Sequence, residues 1–381
     1  MKTKTLSRIP LLSPAPGTRR ELVVHRYGEP GAGPKAYIQA SLHADEIPAM
    51  LVAHHLIGRL DRADAEGAIR GEIVVVPAAN PIGLAQFVNG GHAGRYEAGG
   101  GGNFNRNWPD LAELVGDDLA EKVDYDPGAN QLMIRAAVGA AVEAMTPRNE
   151  LQSLRVALLR LAHDADIVLD LHCDNDALTH LFLTPHHWPS GEDLARRIGS
   201  RATLLAADSG GDAFDEVFSG LWHKLARRFG PDRKIPQACL SATVELRGFA
   251  DVSDALAEGD ADALFRFLQD RGVVAGDPGP LPEAVGEAVP LTAVDVVRAP
   301  RAGIVAYRAA LGEEVAAGDA IAEILDPMAE DTAKARTPVH AATAGPVFTI
   351  RADKFVRPGD TIAKIRGRDP LPDRTGNLLE D

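Results

Sequence analysis

Cysteine is almost missing from this sequence: Cys173 and Cys239 are the whole complement. Two thiols with no CxxC pair exclude a disulfide framework. Aromatic residues are sparse, at 5 %. No run of about 18 apolar residues occurs, so no membrane span is expected. The opening segment, MKTKTLSRIPLLSPAPG, has no apolar stretch long enough for a secretion signal, and the expected location is the cytoplasm. No GK[ST] follows the glycine run at 99–102, which argues against a phosphate loop, and without a G-x-S-x-G elbow a serine hydrolase is disfavoured. Positive charge is outweighed. The formal net charge is −14, and an acidic chain repels phosphate backbones, so no nucleic-acid partner is expected. What is present is ordinary globular composition: 381 residues, 45 % apolar and 25 % charged, enough for two or three domains with a real core.

Across residues 1–273, β-like and helix-like segments alternate. Segments 21–26, 35–42, 72–77 (EIVVVP), 167–172 (IVLDLH) and 242–246 (ATVEL) read as strands. Helical spacing marks 46–60, with Ile47, Met50, Leu51, His54 and Ile57 in phase, then 130–145, 151–163 and 254–271. A loop rich in Gly and Asn fills 80–109. This alternation predicts an α/β fold with a largely parallel sheet flanked by helices. Pro and Gly crowd 274–290, which predicts an interdomain linker.

Over 291–381 the helical period is gone and a weak internal repeat replaces it. Ala302-Gly303-Ile304-Val305 followed by Gly318-Asp319 recurs as Ala344-Gly345-Pro346-Val347 followed by Gly359-Asp360. Neither half buries its apolar face alone, so the two predict a small all-β, barrel-sandwich-like domain. The pattern resembles biotinyl/lipoyl-type barrels, in which a carrier lysine sits between the halves. Lys334 lies there without the Met-Lys-Met or Asp-Lys-Ala context, so a structural domain is favoured over a carrier module.

Four motifs carry chemistry. In Leu42-His43-Ala44-Asp45-Glu46 an imidazole and a carboxylate straddle a strand–helix junction, where both reach one ion. In Asp170-Leu171-His172 the two polar residues share a strand face, so Asp170 is placed to hold the His172 ring. Both histidines fall at carboxyl ends of strands, where open α/β sheets build their sites. Two histidines and a glutamate with an open fourth position form a catalytic zinc set. In Thr243-Val244-Glu245-Leu246-Arg247-Gly248, Glu245 is a lone carboxylate in an apolar strand, costly to bury unless it moves protons beside an activated water. In GGGGNFNRNWPD, Asn105 and Arg106 offer an amide and a guanidinium suited to a carboxylate. Cys173 reads as a packed small side chain, and His180, His186 and His187 as surface or pocket-wall residues.

In this order the four pieces resemble the succinylglutamate desuccinylase/aspartoacylase family, a branch of the zinc carboxypeptidase-like hydrolases, over about residues 20–270. The resemblance implies a carboxypeptidase-like mixed sheet and one zinc ion per chain on His43, Glu46 and His172. It implies Glu245 as general base and acid, and Asn105 and Arg106 as holders of the substrate carboxylate. Arg95, upstream of the Asn-Arg pair, is the expected polariser of the scissile carbonyl. Arg247 is expected to line the pocket on the face of Glu245. The implied partner is a small N-acylated amino acid, the reaction is hydrolysis of its amide bond, and a homo-oligomer is compatible with it. The rival activity is a metallocarboxypeptidase acting on peptides.

Overall fold

Every residue of strands Lys35–Ala40 and Glu72–Val76 is buried, which requires a sheet covered on both faces. The computed structural model, which describes residues 2–379, has that sheet at its centre. Its nine strands are β1 (Thr5–Pro10), β2 (Glu21–Tyr27), β3 (Lys35–Ala40), β4 (Glu72–Val76), β5 (Ile167–Asp174), β6 (His180–Leu183), β7 (Ala202–Leu205), β8 (Leu240–Gly248) and β9 (Glu287–Pro290). They run in the order β1-β2-β4-β3-β5-β8-β6-β7-β9. The central neighbours β4-β3-β5-β8 are parallel, whereas β1, β2 and β6 join antiparallel partners, so the sheet is mixed.

The strands sort their side chains by period two. Ala36, Ile38 and Ala40 of β3, Ile167, Leu169 and Leu171 of β5, and Ala242, Val244 and Leu246 of β8 all pack on one apolar layer. The helices α1 (Ile47–Ala65), α5 (Glu192–Arg197) and α7 (Asp254–Asp270) contribute that layer's other wall. The opposite face packs on α2 (Leu111–Leu119), α3 (Pro127–Ala144), α4 (Glu150–Ala162) and α6 (Phe214–Phe229). Alternation sends Gln39, Asp170, His172, Thr243 and Glu245 to this second face. The sheet is therefore greasy on one side and polar at one end of the other.

Two corrections to the sequence reading concern the C-terminal part. The stretch 274–290 is not a linker throughout: β9 is the sheet's edge strand, Glu287–Pro290 pairing in parallel with Ala202–Leu205. Its register, rather than its Pro and Gly content, decides its place. The all-β region also reaches back. Asp176 and Ala177 pair antiparallel with Ile350 and Thr349 of the strand Gly345–Ile350, so a piece of the first region completes a sheet of the last. An apolar cluster of Ala202, Leu204, Val289, Leu291, Phe348 and Leu378 seals the contact.

The internal repeat is visible as matched conformations. Gly303 and Gly345 have φ of +154° and +150°, and a side chain on either would strike a backbone oxygen of Leu325 or Arg366. In the two Gly-Asp turns, Asp319 accepts from the Ala316 N–H at 2.8 Å and Asp360 from the Arg357 N–H at 2.9 Å. Lys334 stands on the Thr332–Lys334 turn with its side chain 86 % exposed, beside Asp331. Among the described residues no helix is long and apolar enough to cross a membrane.

Candidate active site

Strand β3 stops at Ala40 because Ser41 turns left-handed, with φ +62°. The turn carries His43 back over the polar end of the sheet, and Glu46 stands at the N-cap position of α1 without a capping hydrogen bond from its side chain. His172 arrives from β5. The three side chains are buried, and one ligand atom from each lies within 4.8 Å of the others. His43 Nδ1 stands 2.8 Å from Glu46 Oε1, and His172 Nδ1 stands 2.7 Å from Glu46 Oε2. The far ring nitrogens have their own partners. His43 Nε2 is 2.8 Å from Asn103 Oδ1, and His172 Nε2 is 2.9 Å from Asp170 Oδ2. Gln39 donates to the other oxygen of Asp170 at 2.9 Å.

Outer partners of this kind take the Nε2 protons and turn both Nδ1 lone pairs toward the Glu46 carboxylate. Lone pairs and anionic oxygens converging in a buried space repel unless a cation or a proton lies among them. The charges around the bare site act in the same sense. Burial alone would lower His172, but the Asp170 and Glu46 carboxylates outweigh it and hold the ring well above its ordinary value. Burial and then the Arg95 charge push His43 down to about 4. Burial would raise Glu46, yet the two imidazoles hold it below the usual carboxylate range. Two imidazole nitrogens and a carboxylate, each with an outer partner, fit a borderline divalent cation such as zinc. The group that could hold such a cation is His43, Glu46 and His172.

Glu245 is the register partner of His172 on the adjacent parallel strand, and both project from the same face. Its Oε2 is buried with no hydrogen-bond partner. Burial first, then the Glu46 carboxylate, pushes its carboxyl up to about 8. The Cys173 N–H donates to Glu46 Oε2 at 3.1 Å, and burial pushes the thiol far up, away from thiolate chemistry.

The long glycine-rich loop is more ordered than its composition suggests. Two short hairpins fill it, and the glycine run closes the second, placing Asn103 opposite Tyr96. The spacing between Arg95 and Asn105 is thereby folded away. Arg95 Nη1 lies 3.2 Å from His43 Nδ1 and 3.4 Å from Glu46 Oε1. Asn105 is a brace as well as a wall: its Oδ1 accepts from the Phe214 N–H at the start of α6, 2.8 Å away, and its Nδ2 lies 3.4 Å from His172 Nε2. Arg106 is buried, with Nη1 donating to its neighbour's carbonyl, Asn105 O, at 2.8 Å.

His43, Glu46, His172, Glu245, Arg95, Asn105 and Arg106 line one cavity of about 700 Å³, together with Asp215 and Thr243. Burial and the neighbouring Glu216 raise Asp215 to about 7. From the all-β region come Arg298, Arg351, Thr361 and Lys364. Lys364 Nζ binds Asp174, two residues beyond His172, at 2.7 Å.

Arg247 is not in this cavity. Strict alternation would put it beside Glu245, but the pairing of β8 with β5 shifts between Glu245 and Gly248, and Arg247 takes φ +65°. The bulge rotates the side chain to the other face, where it forms a bidentate ion pair with Asp260 of α7. Arg247→Ala should therefore cost about 2 kcal/mol of stability and leave kcat/KM within a small factor. A thermal melt and a rate assay on the same preparation check both. His180 and His187 are buried outside the cavity, His180 packed edge-on against Phe182 and Phe348. His186 stacks on His223.

Sequence reasoning missed Asn103, Asp215 and the residues of the all-β region. Asn103 was within reach: in Asn103-Phe104-Asn105 the two amides alternate around a buried Phe104. Nothing in the sequence indicates which loops of the last 90 residues face the site.

The model of the succinylglutamate desuccinylase/aspartoacylase catalytic domain matches residues 32–269. A search of curated proteins found no match. Among solved structures, a Shewanella frigidimarina NCIMB 400 protein assigned to succinylglutamate desuccinylase/aspartoacylase superposes with a TM-score of 0.84 at 26 % identity, covering 96 % of this chain and 98 % of its own. A family protein from Shewanella amazonensis SB2B gives 0.81 at 26 % identity, covering 95 % and 98 %. The ectoine utilization protein EutE (DoeB) of Ruegeria pomeroyi, at 16 % identity and a TM-score of 0.65 over 96 % of this chain and 95 % of its own, shares the fold. The matched domain spans more than half of the chain and contains every residue of the His-Glu-His group, so this protein belongs to the succinylglutamate desuccinylase/aspartoacylase family of hydrolases.

Proposed function

We propose that this chain hydrolyses the amide bond of a small N-acylated amino acid, with one zinc ion per chain on His43, Glu46 and His172. The observation that carries the reading is Glu245, the register partner of His172, whose buried Oε2 has no hydrogen-bond partner among the described residues and stands beside that group on one sheet face. Zinc bound there would lower the pKa of a water to about 7 and polarise a carbonyl.

The chain's own residues do the rest. Arg106 holds the carboxylate of the amine half through its planar fork, with the Asn105 amide beside it. Arg95, already against the ligand atoms, meets the negative charge that develops on the carbonyl oxygen. Glu245 accepts a proton from the attacking water, the carbon–nitrogen bond breaks, and Glu245 returns that proton to the departing amine. No neighbour competes for its buried Oε2 among the described residues, so the proton can rest there between the two transfers.

The walls supplied by the all-β region favour small substrates over peptides. A panel of N-acyl amino acids and short peptides, assayed for released amine, tests the proposal. Release from N-acyl amino acids, abolished by a chelator and restored by zinc, is expected. Release from peptides alone supports the carboxypeptidase reading instead, and no release from either rejects both.

A further inference from the structure

The C-terminal segment comes back to the cavity beside Arg106. The Leu371 N–H donates to Thr292 O at 2.9 Å, and the Leu378 N–H to Ser209 O at 2.7 Å. Arg374 Nη2 donates to Leu378 O at 2.8 Å, and Leu378 is buried between the two regions. The next residue, Leu379, is partly exposed and lines the cavity with Arg106, Ser209 and Ala213.

The loop of Ser209, Gly210, Gly211 and Asp212 is gripped from both sides. On one side the Asn107 N–H donates to Gly211 O at 3.2 Å and the Trp108 N–H to Asp212 O at 3.1 Å. On the other lies the C-terminal strap. A methyl group on Gly210 would come within 2.8 Å of Asn377 Cα. One on Gly211 would come within 3.0 Å of Arg106 Cδ and 3.3 Å of Leu379 Cδ1. Arg106 and Leu379 thus crowd one point from two parts of the chain.

We propose that Leu379 is a specificity-determining residue, and that the strap carrying it sets the size of the side chain on the amine half of the substrate. The inference rests on the function proposed above, in which Arg106 holds the amine half's carboxylate. Carboxylate and side chain branch from one carbon, so a wall atom packed beside Arg106 meets that side chain and not the acyl group. A leucine there leaves room for small side chains and collides with large ones.

The test is the ratio of kcat/KM for N-acetylphenylalanine to that for N-acetylalanine, measured in the wild type, Leu379→Ala and Leu379→Trp. Leu379→Ala should raise the ratio about 10-fold and Leu379→Trp should lower it about as much, in line with the discrimination an apolar wall gives. The ratio for propionyl against acetyl on one amino acid should stay fixed, which a general loosening of the site would not allow. Ratios that do not move in either variant, or that move equally with acyl size, overturn the proposal while leaving the hydrolase reading intact. A wild type that releases amine from no N-acyl amino acid overturns both.

Discussion

Glu245→Gln is expected to lower kcat about 1,000-fold, the scale of a general acid–base catalyst, while KM and bound metal hardly change. The substitution keeps the shape of the side chain. It removes the ability to take a proton from water and hand it to nitrogen. Among the described residues its buried Oε2 has no hydrogen-bond partner, so no structural hydrogen bond is lost at that oxygen. The neighbouring Glu46 accepts from the Cys173 N–H and abuts both imidazoles, so it is committed to holding the centre. Pre-steady-state and steady-state rates with metal analysis on one sample decide the matter. Near-normal kcat in the variant would remove Glu245 from the chemistry.

Arg106→Ala is expected to lower kcat/KM about 100-fold, mostly through KM, since a charge-assisted bidentate contact contributes about 1.5–3 kcal/mol. The diagnostic comparison uses substrates whose carboxylate is replaced by a carboxamide. The wild type should discriminate strongly against the amide, and the variant should not. Arg106→Lys keeps the charge without the fork and should fall between them. Equal discrimination in wild type and alanine variant would show that Arg106 is a brace of the 209–212 loop and nothing more.

Much of the site was legible because it obeys strand periodicity. Asp170 with His172, and Thr243 with Glu245, stand two apart in strands whose intervening residues are apolar, and alternation alone puts all four on one face. The same rule failed at Arg247, two residues further on. A bulge breaks the register there, and a left-handed arginine has no sequence signature. Other left-handed residues are Ser41, two before His43, Asn107, next to Arg106, and Asp212, within the gripped loop. Each such conformation costs about 1–3 kcal/mol and persists only where surrounding contacts impose it, so local propensity does not reveal it. The hairpin that brings Asn103 to His43 was hidden for a related reason: a run of glycines is compatible with a mobile loop and with a tight turn, and only cross-strand pairing separates the two. The strand at 287–290 was hidden because four residues paired to a distant edge carry no period of their own.

The most direct test of the metal centre is a calorimetric titration of chelator-stripped protein with zinc in buffers of different ionisation enthalpy. One ion per chain should bind. Protons should be released at neutral pH, because His172, held above its ordinary value, and Glu245, held near 8, give up theirs when a cation arrives, so binding should strengthen as pH rises. Glu46→Ala should abolish the heat. Zinc that binds equally well to that variant, or that binds the wild type without displacing protons, would contradict a centre built on His43, Glu46 and His172.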